Sequence, residues 1–228
     1  MKTLKPQTEE TAPEGSIENL RAIRNRFGFV PNLMATFANS PAMLNGYVAL
    51  GAAWEKSSFS AREREIIMLT ASVENRCLYC VAAHATALKA LRLEATAIDA
   101  IRNRSLLTDP KHGALVTVTR ELVSARGFVS EAAKKAFLDA GYDIIALMEI
   151  LAGVARAAEI NRHVQAVRGC DGASALAVPK ASSTAARPGA KTPLRARMWI
   201  CMATTISKST SLPIRQPRLR LQFAHPAS

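Results

Sequence analysis

The sequence is short of aromatic side chains, at 5% of 228 residues, and short of acidic ones, with 18 Asp and Glu against 30 Lys and Arg. No run approaches the roughly 20 consecutive apolar residues of a membrane helix. No apolar–polar alternation of any length occurs either, and the β-branched and aromatic residues that favour strands give way to alanine and leucine. Together these scarcities exclude a membrane span and a sheet-based core and point to an all-α domain packed through small and aliphatic side chains. At 49% hydrophobic and 21% charged, the chain can bury a sizeable core.

Cysteine is also scarce, with four residues. The opening "MKTLKPQTEETAPEGS" has charges and prolines where a signal peptide has an apolar run, so a cytoplasmic protein is expected. Thiols are kept reduced there, and a close Cys pair is better read as catalytic, redox-active or metal-binding than as a disulfide framework.

The positive charge is unevenly placed. Residues 1–165 hold 20 basic and 17 acidic residues, a balance of +3, whereas residues 166–228 hold 10 and 1, a balance of +9. Three segments are expected: a flexible N-terminus over 1–15, an all-α domain over 16–165, and a basic, disordered tail over 166–228. The tail's basic residues are scattered rather than clustered, so no nucleic acid partner is expected. Its mixture of Ala, Ser, Thr, Pro and Arg also matches an out-of-frame translation of a GC-rich gene, which resequencing codons 160 to 170 would test.

Within the domain, helix signals run almost without interruption. Ser16 can cap "IENLRAIRNRF"; Pro41 can open the helix "AMLNGYVALGAAWEKS"; Ser60 and Glu63 form a capping box for "AREREIIMLTASVEN". Asp109 with Pro110 starts another helix that Gly127 ends, and Ser130 caps one that Gly141 terminates. The last, "YDIIALMEILAGVARAAEINRHV", has apolar residues at spacings that would bury most of its circumference, and Met34, Met43, Met68 and Met148 are expected in the core.

The chemistry concentrates in "ENRCLYCVAAHA", residues 74–85. On a helix over 76–92, Cys77, Cys80, His84 and Leu88 share one side, and two cysteines at i and i+3 have Cα atoms about 5 Å apart, within disulfide range. The pair can cycle between dithiol and disulfide with little backbone movement. Cys77 falls near the helix's first turn, where the dipole favours a thiolate, and His84 is placed to exchange the thiol proton. An imidazole in that role needs an orienting carboxylate, and Glu65, in the preceding helix among apolar residues, is the candidate; pairing with Arg62 is its structural alternative. Glu63 is accounted for by its cap, and Glu74, near a helix end, is expected to be exposed. A structural zinc site needs four ligands, and only the Cys pair and His84 lie close, with Cys170 and Cys201 isolated in the tail, so no metal is expected. His112 has no partner evident in the sequence.

Glu65, eleven intervening residues, Cys77-Leu78-Tyr79-Cys80 and three residues to His84 resemble the motif of the AhpD-like alkylhydroperoxidases, in the carboxymuconolactone decarboxylase superfamily. The flanks, "GFVPNLMATFANSPAMLNGYVAL" and the stretch from Asp109 to Val164, are similar to the peroxidase-related branch. The resemblance implies an all-α AhpD-like bundle and a thiol-dependent hydroperoxide reductase acting in antioxidant defence. Cys80 would be the peroxidatic thiolate, Cys77 the resolving thiol, and Glu65 with His84 a proton relay. It further implies a hydroperoxide substrate, an external dithiol reductant in place of any bound cofactor, and a homo-oligomer, trimer or hexamer, with no membrane partner. The best-known peroxidases carry a second histidine before the latter cysteine, where this chain has Tyr79. Two alternatives remain: a decarboxylase or lactone-processing enzyme of the same superfamily, and a non-catalytic redox sensor.

Overall fold

Polar caps begin most of the helices in a computed structural model that describes residues 4–168, with side chains through residue 160. Among these residues the chain is all-α, as expected. It runs α1 (Glu14–Phe27), α2 (Asn32–Phe37), α3 (Pro41–Trp54), α4 (Ala61–Glu74), α5 (Leu78–Ala90), α6 (Ala95–Arg102), α7 (Pro110–Ser124), α8 (Glu131–Asp139) and α9 (Ile144–Arg168). Ser40, Asp109 and Ser130 each accept a first-turn N–H with the side chain, and Pro41 and Pro110 occupy first-turn positions of α3 and α7. Both halves of the Ser60–Glu63 capping box are formed. Residues 169–228, with Cys170 and Cys201, lie outside the described residues, and so does nearly all of the basic tail.

Three expectations are corrected. Helix α1 starts a turn early, after Pro13, with Glu14 on the positive end of its dipole; Ser16 is buried inside it rather than capping it. Residues 7–9, in the stretch expected to be flexible, are held: the Gln7 N–H donates to the Ala35 carbonyl (2.9 Å), and Glu9 meets Arg21 and Arg24 of α1. Helix α9 buries or half-buries most positions whose side chains are described, but Met148, expected in the core, is not among them. Ile144, Ile145, Met148 and Leu151 form an exposed stripe, with Met148 68% exposed, because neighbouring helices cover only the other face of its first turns.

Two large apolar clusters and a small one of Met68, Ala71 and Ala157 make the core. In the first, α4 is enclosed by its neighbours: every residue from Ile66 to Val73 is buried, and Ile66, Ile67 and Leu69 meet Leu88, Ile98, Ile101, Leu115 and Ile150. The second joins Leu20, Phe37, Leu44 and Tyr47 of α1–α3 to Cys77, Cys80 and Ile160. Helix α9 serves both, and it approaches α3 and α4 at Gly153, where a Cβ would stand 2.9 Å from the Trp54 ring. The cysteine pair, at the start of α5, is therefore packed against the α1–α3 layer.

Candidate functional site

The route from α4 to α5 is three residues long. Asn75 ends α4, and Arg76 takes the left-handed conformation (φ 56°). The Arg76 N–H then bonds the Val73 carbonyl (3.1 Å) and the Cys77 N–H the Ser72 carbonyl (3.0 Å). This is a Schellman closure, which satisfies the last carbonyls of α4 and delivers Cys77 directly to the N-cap of α5. From that turn Glu65 lies nine residues back along α4 and His84 seven residues past Cys77. At 1.5 Å per residue these are about 13 Å and 10 Å along the two helices, so the motif's spacing brings the two side chains to neighbouring heights in an αα-hairpin.

His84 Nδ1 and Glu65 Oε2 are 2.8 Å apart, with the two side chains 17% and 26% exposed. A carboxylate offers only lone pairs, so Nδ1–H donates, and Nε2 is left as the basic nitrogen of the neutral ring. The alternative pairing with Arg62 is not used: that guanidinium donates to the Leu91 carbonyl (3.1 Å).

Cys77 and Cys80 are joined by a disulfide, with Cα atoms 5.3 Å apart, and both are buried. Cys77 is the N-cap of α5 and its sulfur accepts the Cys80 N–H (3.4 Å). Both sulfurs thus sit at the positive end of the α5 dipole, and His84 follows one turn after Cys80 on the same side. Only Cys80 of the pair, together with Glu65, His84 and Tyr79, lines a cavity of about 240 Å³ between the α1–α3 layer and α4, α5 and α9.

Glu74 is not exposed, contrary to expectation. It is 10% exposed and pairs with Arg104 (3.2 Å) and Arg120 (3.1 Å), because the turn after α6 and one face of α7 fold back over the end of α4. Glu63 accepts from the Tyr142 hydroxyl (2.8 Å) besides capping α4, and His112 faces Asp109 at 2.6 Å. Among the described residues no three His, Cys, Asp or Glu side chains gather as metal ligands.

The sequence reading missed Arg156. Its side chain reaches the same cavity from α9, with the guanidinium carbon 5.1 Å from the Tyr47 ring centroid and Nη2 3.4 Å from the Tyr47 hydroxyl. Burial works against its charge, but Tyr47 and the carboxylates of Glu65 and Glu55 outweigh burial and hold it above its ordinary pKa. The available signal was one arginine in the apolar stretch "LAGVARAAEI".

Comparison with known proteins agrees with this architecture. The sequence model of the carboxymuconolactone decarboxylase family matches residues 41–111, which span α3 to the start of α7 and contain Glu65, both cysteines and His84. None of the curated proteins compared matches the sequence. A peroxidase-related protein from Silicibacter sp. TM1040 superposes with a TM-score of 0.60 at 20% identity, over 72% of this chain and 89% of its own. An AhpD-core, peroxidase-related protein from Ralstonia eutropha JMP134 gives 0.61 at 22% identity, over 73% and 92%. The debrominase Bmp8 gives 0.60 at 17% identity, over 72% and 89%. Over residues 41–111 the sequence is thus similar to the carboxymuconolactone decarboxylase family, and the all-α architecture around that stretch is the fold of the peroxidase-related, AhpD-core structures.

Proposed function

We propose that the protein is a thiol-dependent hydroperoxide reductase in which Cys80 is the nucleophile, Cys77 the resolving thiol, and Glu65 and His84 the proton relay. The observation that carries this reading is the His84–Glu65 hydrogen bond of 2.8 Å beside a Cys77–Cys80 disulfide whose Cys80 faces the cavity. In the reduced protein, His84 Nε2 takes the Cys80 proton while Glu65 holds the ring. The thiolate attacks the terminal peroxide oxygen, the O–O bond breaks, and the leaving alkoxide takes the proton from His84, giving an alcohol and a Cys80 sulfenic acid. Cys77 then attacks the Cys80 sulfur, water leaves, and the disulfide forms. An external dithiol supplies the two electrons and two protons that restore both thiols. No bound cofactor or metal takes part in this scheme.

The reading includes a cytoplasmic location, an antioxidant role and a homo-oligomer, trimer or hexamer, for which the exposed stripe Ile144, Ile145, Met148 and Leu151 is a candidate interface. The test is consumption of cumene hydroperoxide by pre-reduced protein, followed by thiol titration and intact mass. One peroxide lost per disulfide gained, no loss in Cys80→Ser and a trapped sulfenic acid in Cys77→Ser are expected. No consumption with both thiols intact would overturn the reading in favour of a non-redox decarboxylase or lactone-processing enzyme. Deleting residues 166–228 separates the sensor alternative, in which the basic tail contacts an acidic surface: catalysis should survive the deletion and that interaction should not.

A further inference from the structure

The cavity beside Cys80 holds a cation, Arg156, that makes no contact ion pair among the described residues, although the carboxylates of Glu65, Glu55 and Glu159 act on it from a distance. Arg26 is paired with Glu55, Arg64 donates to the Phe59 carbonyl, and Glu65 is engaged by His84. Arg156 contacts the Tyr47 ring and hydroxyl; its Nε is buried without a hydrogen-bond partner, and among the described residues no carboxylate lies within ion-pair distance of it. Gly51 makes room for it: a Cβ there would stand 3.2 Å from the guanidinium carbon. A half-buried guanidinium whose Nε is buried without a partner has a donor to spare, and its planar fork fits a carboxylate in a bidentate pair. The rest of the lining is largely apolar, with Phe27, Leu33, Met34, Met68 and Ile160. At about 240 Å³ the space suits a ligand smaller than the drug-sized molecules that fill most pockets.

We propose that the substrate is a small organic hydroperoxide whose apolar body carries a carboxylate, and that Arg156 binds that carboxylate while the peroxide faces Cys80. This rests on the peroxidase reading, but the anion site stands on geometry alone and can be tested without turnover.

The probes are 4-(2-hydroperoxypropan-2-yl)benzoic acid, its methyl ester, and the unreactive alcohol 4-(2-hydroxypropan-2-yl)benzoate for calorimetry on the full chain. The wild-type protein is expected to reduce the acid with a kcat/KM at least about tenfold above the ester, the factor that one charge-assisted pair supplies. In Arg156→Met the acid-to-ester ratio falls to about one. In Arg156→Lys, which keeps the charge without the fork, part of it returns. Gly51→Ala, which crowds the guanidinium and leaves its chemistry intact, lowers the ratio and serves should Arg156→Met fail to fold. Equal use of acid and ester by the wild type overturns the carboxylate assignment and leaves the peroxidase reading standing. If neither peroxide is consumed but the hydroxy acid binds the wild type and not Arg156→Met, the reverse holds. No binding and no preference remove the proposal altogether.

Discussion

Glu65 is the side chain whose environment is hardest to explain without chemistry. It stands one residue before the fully buried stretch of α4, with His84 as its hydrogen-bond partner. Glu65→Gln keeps the shape but loses the charge that holds the imidazole. Peroxide consumption should fall by roughly a hundredfold while thermal stability changes little. Partial rescue by Glu65→Asp would assign the loss to charge and position rather than to packing, whereas equal rates in wild type and Glu65→Gln would remove Glu65 from the relay.

Glu63, two residues earlier, shows the opposite character. Burial raises its pKa, but the Ser60 side chain and backbone, the Tyr142 hydroxyl and Lys111 outweigh burial and hold it below the ordinary 4.5. A depressed carboxyl contributes stability that is present above the unfolded value and lost as pH falls through the folded one. Urea unfolding from pH 7 down through 4.5 to about 3 should therefore show a steeper loss of stability in the wild type than in Glu63→Gln, and parallel curves would contradict the assignment.

The α4–α5 hairpin turns on one backbone conformation. Arg76 sits at φ 56°, where a residue with a Cβ is strained and glycine is not. Its side chain is exposed, so Arg76→Gly removes strain without removing packing. The expected gain is up to about 1 kcal/mol in chemical unfolding, with the Schellman bonds and the Cys77 position kept. A loss of stability would show that the arginine side chain contributes something the turn geometry does not explain. The N-cap end of the same hairpin explains why both sulfurs meet the α5 dipole, since the closure leaves no intervening loop.

Helix α9 packs into the first apolar cluster where it crosses Trp54 and Ile67 at Gly153. This is a close approach of backbone to side chain rather than a turn, and an added methyl would stand 2.9 Å from two carbons of the Trp54 ring. Gly153→Ala should destabilise the domain by about 1–3 kcal/mol through overpacking, read from the urea midpoint. Because α9 also carries Arg156 into the cavity, the same change should disturb the site. A neutral result would mean that α9 can shift outward freely.

Most of the helices were legible from local chemistry. Ser40, Ser60, Asp109 and Ser130 cap because their oxygens reach first-turn N–H groups two or three residues on, a rule that needs no tertiary partner. The disulfide was legible for the same reason, since i and i+3 on one turn are neighbours whatever surrounds them. His84 was legible as one turn past Cys80, and Glu65 as a carboxylate among apolar residues whose spacing to the cysteines resembles a known motif. What local pattern could not supply were the distant pairings and the covered faces. Glu74 near a helix end looked exposed, and only the return of Arg104 and Arg120 buried it. Met148 and its apolar neighbours looked buried, and only the arrangement of the other helices left them outside. Arg156 could be seen as a charge in an apolar run, but that it meets Tyr47, more than a hundred residues away, beside Cys80 depended on how α9 packs across α3. Helix starts and motif spacing follow from bonds between near neighbours along the chain. Burial and the cavity's charge follow from which surfaces meet, and that is settled by packing summed over the whole molecule.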